Sequence, residues 1–351
     1  MSDRLTPLLA QRAWLLADGA TGSNLFARGL TSGDAPELWN TEHPERVGEL
    51  HRAFVDAGAD ILLTNSFGGT RHRLKLHRAE GRVGELNELA ARLARTAADH
   101  ADRVVLVGGS MGPTGEILEP LGPLSAAAAR ESFAEQAGAL ARGGADILWI
   151  ETMSSVEETE AAIEGAARTA LPVVTTLSFD TNGRTMMGIT PADLAGIGRK
   201  HQLAACGSNC GVGAAELVAS IVNLAAAADP SAVLVAKGNC GIPQFVDGAI
   251  RFNGTPELMA DYARLALDAG ARIIGGCCGT TPEHLRAMRQ ALEGYVRGPK
   301  PDLAAIEARL GTISNGATAQ LRGEMDRLAG AAPGAAGRRM PRHRPVRAEG
   351  T

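Results

Sequence analysis

Eight apolar runs of strand length recur along the chain, and segments of helical character separate them. Near-continuous apolar runs are typical of parallel strands that are buried on both faces of a sheet. Apolar residues at helical spacing mark the segments between them, as in residues 45–58, 84–100 and 255–270. The runs cover residues 14–20, 60–67, 104–110, 146–152, 172–179, 204–210, 232–239 and 272–278. Eight strand–helix units predict a (β/α)₈ TIM barrel.

The alternative fold is an open, doubly wound sheet of the Rossmann type. That fold binds dinucleotides through a G-x-G-x-x-G segment after its first strand, and no such segment lies near the start of this chain. Three helix-to-strand junctions, AGADILL, GGADILW and AGARIIG, repeat one pattern in which a glycine ends the helix. We therefore expect the barrel over residues 1–295, a helical extension over 296–330 and a disordered basic tail over 331–351.

Charge and composition narrow the class of function. A net charge of −4 and an aromatic content of 3% provide neither the basic surface nor the stacking platform of a nucleic-acid-binding protein. No apolar stretch reaches the roughly 18 residues of a membrane span, and the N-terminus lacks a signal-peptide pattern. We therefore expect a cytoplasmic protein with neither nucleic-acid nor membrane partners.

Cysteines end three of the eight apolar runs. The carboxyl ends of barrel strands converge on the face where barrel enzymes have their active sites, so Cys210, Cys240 and the Cys277–Cys278 pair are expected there. Side chains alternate along a strand, so both members of the pair face one point only if the strand stops and the neighbouring glycines turn the backbone. Three thiolates with a fourth position open are typical of a catalytic zinc site.

The cysteines also have other interpretations. An odd total of five argues against a disulfide framework. Cys240 is either a fourth zinc ligand or a free thiol, and Cys206 lies deeper in its strand as a core residue. A redox role for the adjacent pair is disfavoured, because vicinal disulfides are strained and no C-x-x-C motif is present. We predict a zinc site formed by Cys210, Cys277 and Cys278.

Six short motifs together resemble those of the zinc-dependent homocysteine S-methyltransferases, a family with betaine-using and cobalamin-dependent branches. The resemblance runs over residues 12–295, and its most specific part is the cysteine pair with the upstream Asn-Cys. The motifs are DGATGSNL (18–25), TNSFGGT (64–70), GSMGPTG (109–115), ETMSSVEE (151–158), GSNCGVG (207–213) and GGCCGTTPEH (275–284). The resemblance implies a (β/α)₈ barrel that holds Zn²⁺ and transfers a methyl group to homocysteine, giving methionine.

The amino-acid part of homocysteine also needs partners. Glu151 ends the fourth strand and is the expected carboxylate for the substrate ammonium. Asp18, Gly19 and Ala20 follow the first strand, where backbone N–H groups can approach the substrate carboxylate. The resemblance supports these placements, and Asn209, directly before Cys210, is expected at the same substrate.

The methyl donor is less constrained than the acceptor. A quaternary ammonium such as betaine is usually held by aromatic faces, for which Trp39 and Phe67 are candidates. The betaine branch has tyrosine where this chain has Gly68, although the resemblance as a whole favours betaine. The basic segment RHRLKLH (71–77) is either a solvated helix face or a contact for a donor carboxylate.

Several alternatives stay open at this point. Other donors are S-methylmethionine, dimethylsulfoniopropionate, and methylcobalamin or methyltetrahydrofolate with a partner such as a corrinoid protein. A function of another class is a non-catalytic docking barrel stabilised by zinc, which predicts Cys240 as a fourth ligand. A homo-oligomer is also left open.

Overall fold

The fold is a barrel of eight parallel strands. The computed structural model describes residues 3–31, 33–246 and 249–324. The strands are β1 (Leu15–Leu16), β2 (Ile61–Leu63), β3 (Leu106–Met111), β4 (Ile147–Met153), β5 (Val173–Leu177), β6 (Ala205–Cys210), β7 (Leu234–Gly238) and β10 (Ala271–Gly276). From β2 to β7 each strand pairs with the next one along the chain, β7 pairs with β10, and β10 pairs with β1. A parallel bridge between Ala17 and Ile61 nearly closes the barrel, which confirms the predicted fold.

Helices separate the strands and cover the outside of the barrel. They are α1 (Leu5–Gln11), α2 (Gly22–Phe26), α3 (Trp39–Glu42), α4 (Pro44–Asp56), α5 (Arg71–Lys75), α6 (Val83–Asp99), α7 (Ala126–Arg142), α8 (Val156–Ala166), α9 (Pro191–His201), α10 (Ala214–Ala227), α11 (Pro256–Ala269) and α12 (Pro282–Leu292). A hairpin of β8 (Pro243–Val246) and β9 (Ala249–Phe252) lies between β7 and α11. Within the described ranges, no helix is long and apolar enough to cross a membrane.

The C-terminal extension consists of two short helices, α13 (Leu303–Leu310) and α14 (Asn315–Leu321), which pack outside the barrel against α10. The Ser314 N–H donates to Glu216 Oε2 at 2.9 Å, and Gln320 Nε2 donates to the Gly183 carbonyl at 2.9 Å. These bonds fasten the extension to the barrel. The tail predicted over residues 331–351 lies outside the described residues.

Side chains that point into the barrel form a core of their own. Alternation along the strands places Ile147 and Trp149 of β4 inside, while Leu148 and Ile150 face the surrounding helices. Apolar side chains of α1 join the interior core, so this helix closes the barrel at the amino ends of the strands. The remaining opening lies at the carboxyl ends, where barrel enzymes have their active sites.

The repeated helix-to-strand junctions are built as the sequence predicts. Gly58, Gly144 and Gly270 follow the helices with φ of +103°, +102° and +115°, a left-handed conformation that favours glycine. Two of the junctions continue with a buried aspartate at the amino end of the barrel. Asp60 pairs with Arg12 Nη1 at 2.6 Å and Arg289 Nη1 at 3.1 Å, and Asp146 pairs with Arg95 Nη1 at 2.7 Å. These acids therefore have protein partners.

Candidate active site

A cavity of about 610 Å³ opens at the carboxyl ends of the strands, at the end of the barrel where the sequence predicts the site. The loops after β1 and β2 form one side of it, and strand ends form its buried wall. The polar side chains of that wall are Ser110, Glu151, Cys210, Lys237, Cys277 and Cys278. The structure thus brings the three predicted zinc ligands and Glu151 together.

The Cys277–Cys278 pair is placed by a turn that directly follows β10. The strand ends at Gly276, and the Thr280 N–H donates to the Cys277 carbonyl at 3.1 Å. Gly279 has a φ of +79°, which lets the chain reverse. The expectation that the strand stops and the backbone turns is therefore confirmed. Cys210, at the end of β6, has a φ of +62°, an uncommon conformation for a residue other than glycine.

The sulfur atoms of Cys210, Cys277 and Cys278 fit a single metal ion. They lie within 4.8 Å of one another, and the Cys210 and Cys278 sulfurs are 3.9 Å apart. Tetrahedral zinc with Zn–S bonds of about 2.3 Å requires sulfurs about 3.8 Å apart. Over the described part of the chain, neither Cys206 nor Cys240 belongs to a metal-binding group, and both are buried. The fourth-ligand interpretation of Cys240 therefore gains no support.

The three thiols differ in acidity. Hydrogen bonds from Cys277 and Cys278 lower the pKa of Cys210 to about 3. The same hydrogen bonding to Cys210 raises the pKa of Cys277 to about 12 and that of Cys278 further. The titrations of the three thiols are therefore coupled. A dication would stabilise all three as thiolates, because zinc binds cysteine as thiolate.

Glu151 lies beside the thiols with its carboxylate facing the cavity. It is two residues after Trp149 on β4, so alternation carries it to the inner face. The Ser110 hydroxyl donates to Glu151 Oε1 at 2.5 Å. Burial raises the pKa of Glu151 to about 7. Because no cation lies within ion-pair distance in the described residues, a substrate ammonium would find an available partner here.

Lys237 is a polar residue of the site that the sequence analysis did not single out. Its Nζ donates to Asp18 Oδ1 at 2.9 Å and to the Asp18 carbonyl at 3.0 Å, and both side chains are fully buried. Burial alone would lower the pKa of Lys237, but the Asp18 and Glu151 carboxylates raise it. The available signal was a charge inside the apolar run AVLVAKGN, two residues after the inward-facing Val235.

Asp18 and Asn209 make hydrogen bonds that connect the strands around the site. Asp18 accepts the Leu63 N–H at 2.8 Å with its second carboxylate oxygen, so it joins β1, β2 and β7. Asn209 receives the Thr152 N–H at 2.9 Å and donates to Thr152 Oγ1 at 2.7 Å, which ties the ends of β4 and β6. Neither residue lines the cavity. Their direct contact with substrate stays a prediction.

The loop after β1 lines the cavity with backbone atoms. Gly19 leaves no space for a side chain, since an added Cβ would lie 2.6 Å from the Thr280 carbonyl oxygen. The Ala20 N–H donates to that carbonyl at 3.1 Å and is therefore in use. Thr21 and Gly22, whose N–H groups bond to no described residue, line the same cavity. They, rather than Ala20, are available to an anionic group.

The two aromatic candidates have different positions. Phe67 lines the cavity and is 37% exposed. Trp39 is buried against His43 and Arg46, with the Arg46 guanidinium 5.1 Å from its ring centre, and it does not line the cavity. Phe26 and Phe252 line the cavity as well. The structure thus offers aromatic surface without Trp39.

Comparisons with known proteins agree with this site. The family model for homocysteine S-methyltransferase matches residues 15–292. Methionine synthases of Mycobacterium tuberculosis and Mycobacterium leprae are 30% and 29% identical over 84% and 85% of this chain. The chain spans about a quarter of the length of these relatives, 26% in each case.

Solved structures are similar as well. The metallated form of the Escherichia coli homocysteine methyltransferase MmuM matches with a TM-score of 0.68 and 28% identity, over 82% of this chain and 99% of that chain. A methyltransferase from Methanosarcina mazei matches with a TM-score of 0.53 and 14% identity over 81% of this chain and 94% of that chain, which shows the fold alone. The region that the family model matches, residues 15–292, contains every residue of the cavity wall described above.

Proposed function

The chain belongs to the homocysteine S-methyltransferase family, and from this membership we propose that it methylates the thiol of homocysteine, giving methionine. The observation that carries the proposal is the thiol cluster, in which three sulfurs within 4.8 Å of one another share a cavity with Glu151. A cluster of this kind suits zinc with one position left for a substrate sulfur.

Cys210, Cys277 and Cys278 are the residues that would hold zinc. When bound there, zinc would keep the homocysteine sulfur as a thiolate at neutral pH, where a free thiol with a pKa near about 8.5 is mostly protonated. The thiol proton would pass to solvent as the substrate binds, before the methyl group arrives. Consequently, no side chain of the cavity has to act as a general base.

The remaining side chains bind and orient the amino acid. We assign the substrate ammonium to Glu151, whose carboxylate is held by Ser110. The Thr21 and Gly22 N–H groups are assigned to the substrate carboxylate. Lys237 offsets part of the negative charge that Asp18, Glu151 and the thiolates bring to one wall.

Methyl transfer is then an in-line displacement. The substrate sulfur forms a bond to the methyl carbon, and the bond from that carbon to the donor heteroatom breaks with its electron pair. An onium donor leaves as a neutral amine or sulfide. Opposite charges on thiolate and donor cancel as the new bond forms, so the apolar surface of Phe67 and Phe252 favours the reaction.

We propose betaine as the donor, as the resemblance of the motifs favours. S-methylmethionine and dimethylsulfoniopropionate would react in the same way. Methylcobalamin or methyltetrahydrofolate would require a partner such as a corrinoid protein, an alternative kept by the methionine synthase relatives.

A donor panel tests the proposal. The zinc-loaded chain is incubated with homocysteine and betaine, S-methylmethionine, dimethylsulfoniopropionate, methyltetrahydrofolate or methylcobalamin, and methionine is followed. We expect methionine from betaine, and none after removal of zinc by a chelator. If methionine forms only from methylcobalamin or methyltetrahydrofolate, the assignment of betaine as the donor is wrong. Homocysteine methylation that is unaffected by zinc removal would refute the role of the thiols.

A further inference from the structure

A second acidic group, Glu37, lines the cavity beside Gly68, and the proposed binding of homocysteine leaves it unused. Glu37 is 5% exposed, lines the cavity, and accepts the Gly68 N–H at 2.6 Å. Gly68 makes room for it, because an added Cβ would lie 3.0 Å from Glu37 Oε1. The carboxylate thus occupies the space that a side chain at position 68 would take.

The segment that carries Glu37 is fixed to the end of β2. Asn65 Nδ2 donates to the Pro36 carbonyl at 2.7 Å and to Asn40 Oδ1 at 3.0 Å. Asn40 Nδ2 donates in return to the Asn65 carbonyl at 2.9 Å. These bonds bracket Glu37 on both sides, so its carboxylate is held at the cavity rather than carried on a free loop.

Glu37 has no counter-ion in the described residues. No lysine, arginine or histidine nitrogen lies within 4.0 Å of its carboxylate. Burial raises the pKa of Glu37, while Arg73 and His77 act in the opposite direction from a greater distance. A cation that entered the cavity would supply the missing charge.

Arg73 provides the opposite charge on the same side of the cavity. It lies on α5, is partly exposed, lines the cavity and makes no ion pair with a described residue. Arg71, on the same helix, points elsewhere and pairs with Glu135 at 2.8 Å. The basic segment 71–77 therefore contributes an ion pair at the surface, Arg71 with Glu135, and two residues that line the cavity, Arg73 and His77.

We propose that Glu37 and Arg73 bind the methyl donor as a zwitterion. The onium group lies against Glu37 and the ring face of Phe67, and the donor carboxylate pairs with Arg73. This inference rests on the proposed function and names the donor class, an onium carboxylate. A folate donor lacks the onium, and a corrinoid donor needs neither charge.

Three probes separate the two charges. Betaine carries both, choline carries the onium without the carboxylate, and 3,3-dimethylbutyrate has the shape and carboxylate of betaine without the positive charge. Binding is measured by calorimetry to the zinc-loaded full chain saturated with methionine, so that no transfer takes place. Dimethylsulfoniopropionate serves as a second zwitterion and distinguishes a sulfonium from an ammonium donor.

Glu37→Gln keeps an oxygen that can accept the Gly68 N–H but removes the charge. We expect it to weaken betaine and choline by about tenfold or more, and to leave 3,3-dimethylbutyrate within about twofold. Arg73→Gln should weaken betaine and 3,3-dimethylbutyrate by a similar factor and leave choline unchanged. Arg71→Gln, on the same helix, is the matched control and should change none of them.

The inference is overturned if the wild-type chain binds neither zwitterion, if Glu37→Gln binds betaine as the wild type does, or if each variant weakens all three probes equally. Homocysteine binding and zinc content, measured in the same variants, report the acceptor half of the site and confirm folding. Selective probe binding without methionine formation from any donor would refute the proposed function, and only the binding of a zwitterion by Glu37 and Arg73 would stand.

Discussion

The acidic side chains at the two ends of the barrel differ in whether a cation lies within ion-pair distance of them. At the amino end, Asp60 and Asp146 are paired with arginines at 2.6 to 3.1 Å. At the carboxyl end, Glu151 and Glu37 face the cavity with no cation within ion-pair distance among the described residues. The first arrangement holds the ends of strands and helices together. The second leaves charge that a ligand can neutralise, which is where perturbed acids indicate function.

One acid at the carboxyl end is ion-paired, as the acids at the amino end are. Lys237 and Asp18 are buried together, and Asp18 also accepts the Leu63 N–H. This pair joins three strands beneath the cavity and limits the negative charge beside the thiols. The comparison therefore separates groups that the protein has satisfied from groups that it has left for ligands.

Substitution of a proposed zinc ligand should have the largest effect on activity. Cys210→Ala removes one of three thiolates, so we expect loss of zinc and a fall in methionine formation of at least about a thousandfold. Metal analysis and turnover measure both. Cys206→Ala, on the same strand but outside the cluster, is the matched control and should keep its zinc. Normal turnover in zinc-free Cys210→Ala protein would contradict the assignment.

Substitution of Asp60, at the amino end of the barrel, should lower stability without changing activity. Asp60→Asn leaves Arg12 and Arg289 without their buried anion, and we expect the free energy of unfolding to fall by about 3 kcal/mol. Chemical denaturation measures this fall, while kcat/KM of the folded fraction should be unchanged. The exposed Arg168–Glu131 pair is the control, since water screens it and Arg168→Gln should leave the free energy of unfolding almost unchanged. An equal loss in both variants would remove the contrast.

Glu151→Gln should give the smallest of these effects and the most specific one. We expect KM for homocysteine to rise by about tenfold to a hundredfold, because the ammonium loses a charged partner. Since burial raises the pKa of Glu151 to about 7, the wild type should bind homocysteine more tightly as the pH rises through 7. Homocysteine binding by Glu151→Gln should lack this dependence on pH. Identical pH profiles of KM would show that Glu151 does not bind the ammonium.

The same pKa has a consequence for the protein without ligands. Folding raises the pKa of Glu151 from 4.5 to about 7, so the folded state retains a proton that the unfolded state loses between these values. Its contribution to stability is therefore present below pH 4.5 and is lost as the pH rises to 7. Glu151→Gln should abolish that loss, which denaturation at pH 5 and pH 8 measures.

Local patterns predicted the fold and the clustering of the three thiols well. Near-continuous apolar strands between periodic helices specify a parallel sheet, and the glycines at 58, 144 and 270 end their helices as expected. Cys210, Cys277 and Cys278 could be paired across the chain because strand ends of a barrel converge.

Features that depend on register between distant strands were not accessible from the sequence. Lys237 meets Asp18 across 219 positions, and the Ala20 N–H donates to the carbonyl of Thr280, which follows β10, the strand that pairs with β1. Trp39 packs outward against His43 because of the orientation of a short helix that no local pattern encodes. Glu37 reaches the cavity from a 3₁₀ helix (Pro36–Leu38) that Asn65 holds, which is likewise a tertiary effect.

The coordination of zinc before and after substrate binding tests the central claim most directly. X-ray absorption at the zinc edge counts the sulfur neighbours of the metal in the purified chain. We predict one zinc with three sulfurs and one lighter atom, and four sulfurs once homocysteine is added. A fourth protein ligand already in place, or a sulfur count that homocysteine does not change, would contradict an open position for the substrate thiol.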